Sequence, residues 1–176
     1  MFQIPDNYPS GLNTLELEYP WLTPGAIFYL DRTINKSHSV LEFGCGGSTM
    51  FFARRTLSVS SFETNPQWYQ KVSETITHRN LTNVSLTHIT SLPTLQDSYD
   101  IILIDCEPAQ LNRIRAAIHA LPHLKDRGIF IVDNYAADFC TGIQDLFPGP
   151  WGNPWQYLTF DDPAWAGRGT RIFHRR

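Results

Sequence analysis

The sequence predicts an α/β fold: a doubly wound, mostly parallel seven-stranded sheet ending in an antiparallel hairpin. Three observations predict it. Residues 101–104 and 129–132 are unbroken apolar runs, as central strands of a parallel sheet covered on both faces require. Stretches of helical periodicity alternate with the strands. A glycine-rich turn, Gly44-Cys45-Gly46-Gly47, joins an apolar strand to a helix start.

Each element follows in order. Residues 1–22, with Pro5, Pro9, Gly11 and Pro20, read as an irregular segment, and 23–176 as one domain. Thr23-Pro24 marks a helix start, and Ala26, Ile27, Leu30 and Ile34 carry the helix over about 24–34. Val40-Leu41-Glu42-Phe43 forms the first strand, and the turn after it opens into a helix through Met50 to Arg55. Residues 57–63 form a second strand ending at Glu63. Asn65-Pro66 starts the next helix, whose apolar face is Trp68, Tyr69, Val72 and Ile76. Residues 83–89 alternate, with Val84 and Leu86 on one side, as a half-exposed edge strand does. Between the two central runs, 110–121 fits a helix stopped by Pro122. After a Pro- and Gly-rich stretch at 147–154, residues 156–160 and 170–174 read as strands with nine residues between them, too few for a helical crossover.

Composition narrows the function. A chain of 176 residues with 42% hydrophobic content buries one substantial core. A net charge of −3 supplies no global basic field for nucleic acid. Cys45, Cys106 and Cys140 are odd in number and widely spaced, which points away from a disulfide framework or zinc site and suits a reducing compartment. No signal-peptide pattern and no apolar run of membrane-spanning length stand out. The expectation is a cytoplasmic protein with no membrane or nucleic-acid partner. A homodimer is the assembly to test.

The turn carries the chemistry. Gly44 and Gly46 allow a tight turn and a close backbone approach, and the helix N–H groups behind them face an anion. Glu63 stands 19 positions after Gly44, the reach at which a strand-end acid accepts from ribose hydroxyls. Together they make a cradle for an adenosine-type ligand. Asp105, Asp133 and Asn134 end two further strands and converge on the same rim. Oxygen donors of this kind suit Mg²⁺.

From Thr23 onward the chain resembles class I S-adenosylmethionine-dependent methyltransferases. Glu42-Phe43-Gly44-Cys45-Gly46-Gly47-Ser48-Thr49 is similar to the family's first motif. Glu63, Asp105 and Asp133 close the second, fourth and fifth strands, and Gly169-Thr170-Arg171-Ile172-Phe173 looks like its last strand. The resemblance implies strand order 3-2-1-4-5-7-6, with S-adenosyl-L-methionine over the C-terminal strand ends. It implies a cofactor set of Glu42, Gly44, Gly46, Ser48, Glu63 and Asp105, with Glu42 near the amino-acid portion. Ser91 stands where the family often places an adenine-binding acid. Asp105 and Asp133 are the catalytic candidates beside the acceptor.

Metal-dependent catechol and caffeoyl-type O-methyltransferases use a similar oxygen cluster, although Pro108 stands where they carry a lysine. The expected reaction is methyl transfer to a small molecule at oxygen. Tyr19, Trp21, Tyr135 and the loop 161–168 are expected to wall the acceptor. A non-catalytic partner subunit of the same fold is the alternative. A nicotinamide-dependent oxidoreductase fits less well, because Thr49 replaces the third glycine. His119 and His123, separated by helix-breaking Pro122, read as solvated helix-end residues.

Overall fold

Residues 101–104 and 129–132 lie side by side at the middle of one sheet, Ile101 opposite Ile129 and Ile104 opposite Val132. The computed structural model describes residues 13–148, 155–162 and 169–175. Five strands are parallel: β1 (Ser39–Phe43), β2 (Ser58–Glu63), β3 (Val84–His88), β4 (Tyr99–Ile104) and β5 (Leu124–Val132). The hairpin is β6 (Trp155–Phe160) and β7 (Thr170–Arg175), with β7 antiparallel to β5. The order across the sheet is β3-β2-β1-β4-β5-β7-β6.

The helices are α1 (Thr14–Leu17), α2 (Pro24–Thr33), α3 (Gly47–Arg55), α4 (Pro66–His78) and α5 (Arg113–Ala120). Strand alternation divides the core. Leu41, Phe43, Ile102, Ile104, Phe130 and Val132 point to the side covered by α5 and the segment around Phe147. Val40, Val59, Ile101, Leu103, Ile129 and Ile131 point to the side covered by α2 and α3. Each such side chain contributes roughly 1.5–3 kcal/mol on burial. Trp68, Val72 and Ile76 of α4 join Leu15 of α1 and Met50 of α3 in a third cluster.

Four expectations need correction. The N-terminal segment is not irregular throughout: Thr14–Leu17 is a helical turn capped by Asn13, whose side chain accepts from Glu16 N–H. It is held by Glu18, whose carboxylate pairs with Arg54 of α3 and with Arg79. Residues 1–12 of that expectation lie outside the described residues. The fifth helix starts at Arg113 rather than at 110. Asn112 caps it by accepting from Arg115 N–H, and the N–H groups of Gln110 and Leu111 turn back to the Glu107 carbonyl instead. β5 starts at Leu124, which pairs with Tyr99, because the exposed Lys125, Asp126 and Arg127 hide the strand's apolar signal. Thr23 stands at the α2 N-cap as expected, yet its side chain makes no capping bond; its backbone N–H donates to Thr170 Oγ1 at 3.1 Å. The expectations for 149–154 and for most of the 161–168 loop fall outside the described residues.

Candidate active site

A cavity of about 720 Å³ opens over the C-terminal ends of β1, β2, β4 and β5. Its volume is that of a small-molecule site. The turn Gly44–Ser48 lines it, together with Glu63, Asp105, Asp133 and Asn134. The ends of the parallel strands bring these residues together. Gly44 N–H donates to the Phe62 carbonyl at 2.8 Å, and Asp105 N–H donates to the Phe43 carbonyl at 2.9 Å, so the turn sits between the ends of β2 and β4. This is the crevice where open α/β sheets bind ligands.

Two glycines are required by what lies behind them. Gly44 has φ +94°, and a Cβ there would run into the backbone of Asp105 and Cys106. A Cβ on Gly47 would strike the carbonyls of Thr14 and Tyr19, so α1 closes directly onto the start of α3. Thr14 and Trp21 thereby reach the cavity wall. A Cβ on Gly46 would meet only the Trp68 ring, at 3.7 Å, on the cavity side.

Glu63 and Glu42 have separate surroundings. The Glu63 carboxylate is buried at the cavity wall and fixed by backbone donors. Thr64 and Asn65 N–H each donate to Oε1 at 2.8 Å, and Cys45 N–H donates to Oε2 at 3.1 Å. A carboxylate offers about four acceptor sites, so Oε2 retains capacity for a ligand hydroxyl. Helix α4 is capped by Asn65 itself, which accepts from the N–H groups of Gln67 and Trp68.

Glu42 lies behind the turn, on the α3 side of the sheet, and does not line the cavity. Hydroxyl groups surround it instead of a ligand. The hydroxyls of Thr49 and Ser61 each donate to its Oε2 at 2.6 Å, and Thr49 Oγ1 accepts from Gly46 N–H at 2.9 Å. Its Oε1 is buried with no hydrogen-bond partner among the described residues. Burial pushes the Glu42 carboxyl up to about 7, against the pull of the Ser48, Ser61 and Thr49 hydroxyls. Glu42 therefore shapes the turn from behind. Ser48 is buried and does line the cavity.

At the other wall, buried Arg113 organises the two aspartates. Its Nε donates to the Cys106 carbonyl at 2.7 Å, Nη1 to the Asp133 carbonyl at 2.7 Å, and Nη2 to Asp105 Oδ1 at 3.0 Å. Its guanidinium lies 5.0 Å from the Phe139 ring centroid. Burial raises the Asp105 carboxyl to about 6, with Arg113 opposing the rise. Asp133 is buried more deeply; burial and the nearby Asp105 charge hold its carboxyl well above the usual range. Its Oδ1 accepts from Thr170 Oγ1 at 2.7 Å, and Thr170 in turn accepts from Thr23 N–H. The two aspartates are thus poised differently: Asp105 ionises more readily than Asp133.

This arrangement does not fit the expected Mg²⁺ on Asp105, Asp133 and Asn134. A fixed guanidinium already neutralises Asp105, and Oδ1 of Asp133 already accepts from Thr170 Oγ1 at 2.7 Å. Among the described residues no group of three or more His, Cys, Asp and Glu side chains is placed to hold a metal ion.

The remaining candidates scatter. Ser91 is exposed and lies off the cavity lining. Of the three aromatics, Trp21 lines the cavity, Tyr19 packs against the α2–α3 core, and Tyr135 borders a second cavity. His119 Nε2 and His123 Nδ1 meet the carbonyls of Pro93 and Asp97, fastening the end of α5. The buried Cys45 thiol is pushed far up by burial, which suits a space-filling role. Sequence reasoning missed Arg113 and the wall role of Trp68, whose Nε1 donates to the Cys45 carbonyl at 2.7 Å. The available signal was Asn112: as an N-cap it puts Arg113 in the first turn, beside the strand ends.

Comparison with known proteins agrees with this architecture. A family model described as a methyltransferase domain matches residues 41–135. No curated protein gives a significant sequence match. Among solved structures, SMU.1697c from Streptococcus mutans, in complex with SAH, superposes with a TM-score of 0.64 at 14% identity, over 85% of this chain and 94% of that one. An rRNA methylase from Streptococcus thermophilus gives 0.65 at 13% identity, over 84% and 92%. An O-methyltransferase from Bacillus cereus, in complex with SAH, gives 0.61 at 18% identity, over 78% and 74%. At these identities the likeness speaks for the fold. Together with the family match, it shows that the chain belongs to the methyltransferase-domain family and has the class I S-adenosylmethionine-dependent methyltransferase fold.

Proposed function

We propose that the cavity binds S-adenosylmethionine and that the chain transfers its methyl group to a hydroxyl of a small molecule. The cofactor's sulfonium supplies an activated methyl for in-line displacement. The residues fit such a ligand. The turn 44–48 offers a close backbone approach, Glu63 Oε2 has acceptor capacity beside it, and the Trp68 ring forms a wall.

The observation that carries the oxygen reading is the Arg113–Asp105 pair at 3.0 Å. A hydroxyl acceptor has to shed a proton as it attacks, and a base near neutrality serves that best. Asp105, at about 6, is ionised at neutral pH and lines the cavity. Arg113 aims it and stabilises its charged form. Asp133 favours its protonated form, in which it donates a hydrogen bond to the acceptor. Holding the acceptor in line accounts for roughly 7–11 kcal/mol in favourable intramolecular cases.

A small acceptor also suits the charge of the cavity. Glu63, Asp105 and Glu107 line it against Arg113, a poor surface for a phosphate backbone. The test is a labelled-methyl assay over a panel of hydroxylated metabolites. Transfer to at least one, lost in Asp105→Asn, supports the reading; transfer only to amines or to RNA overturns it.

A further inference from the structure

A second cavity, of about 220 Å³, lies behind the first. The two share a wall at the Asp133 peptide, whose carbonyl accepts from Arg113 on one side and lies 3.8 Å from Cys140 Sγ on the other. Its base is buried and apolar, formed by Val132, Ile143 and Phe173. Stacking of Phe147 on Phe173, with centroids 3.9 Å apart, makes that base rigid. Its mouth is polar, with Arg171 and Gln144 partly or fully exposed.

Among the described residues, Arg171 is held in place without a counter-ion. Its guanidinium lies 4.0 Å from the Tyr135 ring centroid and 4.7 Å from that of Tyr157. Nε donates to Thr159 Oγ1 at 3.0 Å, and Nη1 reaches Gln144 Oε1 only at 3.4 Å. No carboxylate pairs with it among the described residues. Of the nearby acids, Asp161 accepts from Tyr135 O–H at 3.0 Å, and Asp145 Oδ2 comes within 3.9 Å of a Cβ placed on Gly142, at the cavity's edge. A stacked guanidinium with N–H groups to spare is pre-organised to grip a planar carboxylate with two parallel bonds.

We propose that this second cavity binds a small organic carboxylate, its hydrocarbon part against Val132, Ile143 and Phe173 and its carboxylate on Arg171. The acid is a separate small molecule, because the Asp133 peptide stands between this cavity and the one proposed for methyl transfer. The shared wall places it directly behind the aspartate pair.

Benzoate is the probe, titrated into the full ¹⁵N-labelled chain at constant ionic strength while the Arg171 Nε–H resonance is followed. The expected result is a saturable shift with benzoate, none with neutral benzamide, and at least about tenfold weaker binding to Arg171→Gln, the loss of one charge-assisted contact. No saturable shift, equal binding of benzamide, or equal binding to the variant overturns the proposal. Unchanged S-adenosylhomocysteine affinity in Arg171→Gln controls for folding and separates this proposal from the cofactor assignment.

Discussion

Nη2 of Arg113 lies 3.0 Å from Oδ1 of Asp105, and the same guanidinium donates to the carbonyls of Cys106 and Asp133. One arginine therefore ties the ends of β4 and β5 to the first turn of α5. It also neutralises, as a fixed charge, one of the two carboxylates expected to hold a metal.

Arg113→Met is expected to lower stability by about 3 kcal/mol. That is the lower end of the range for breaking a buried pair, because Asp105 keeps 21% of its side-chain exposure. It also removes the group that opposes the rise of the Asp105 carboxyl, so the acid limb of the methyl-transfer pH profile moves to higher pH. Arg113→Lys keeps a positive charge near Asp105 but does not restore the stability, since one ammonium cannot reach three acceptors in a fixed fork. Chemical denaturation and a pH–rate profile check both.

Glu63→Gln is expected to weaken S-adenosylhomocysteine binding by at least about tenfold, as one acceptor oxygen becomes a donor facing the ligand hydroxyls. Calorimetry on the variant, with its melting curve recorded, reads this. An affinity equal to that of the parent chain removes the ribose assignment.

Glu42 makes stability depend on pH. Its folded carboxyl titrates near 7 against 4.5 for an unperturbed one, so the folded state holds the proton more tightly. Its contribution is complete below about 4.5 and is lost as pH rises through about 7, some 3 kcal/mol in all. Glu42→Gln keeps an acceptor for Thr49 and Ser61 but never ionises. Denaturation at several pH values is expected to show a flatter profile between pH 5 and 8, with the variant no less stable than the parent at the alkaline end.

Gly47→Ala is expected to push α1 off α3, because the added methyl meets the carbonyls of Thr14 and Tyr19. The sheet needs no change, so the core persists while the cavity loses its Thr14 and Trp21 wall. Hydrogen exchange at 14–19, compared with that of the β4 amides, separates local undocking from global unfolding.

Magnesium addition or chelation is expected to leave methyl transfer unchanged, because the Asp105 charge is already neutralised by Arg113. A dependence on Mg²⁺ would contradict the role given to that arginine.

Much of the fold was legible in the sequence because its signals are local. Two unbroken apolar runs gave the centre of the sheet, and a nine-residue gap gave the hairpin. Glu63 was legible through its spacing from Gly44. What escaped depended on contacts between distant segments. α1 is one turn long, too short for periodicity, and is fixed by Gly47 and by Glu18 with Arg54 and Arg79. Arg113 escaped because a lone arginine in a helix reads as solvated surface. Only the meeting of β4, β5 and α5 buries it. Glu42 was placed near the cofactor's amino-acid portion, yet its partners sit on α3 and β2, so its position behind the turn could not be read from β1 alone.

The most direct test is a crystal structure of the chain with S-adenosylhomocysteine bound. The account expects the ligand over the ends of β1 and β2, its ribose within hydrogen-bonding distance of Glu63 and its amino-acid end at the turn 44–48. A ligand lodged elsewhere, or no ligand at the turn at saturating concentration, would contradict it.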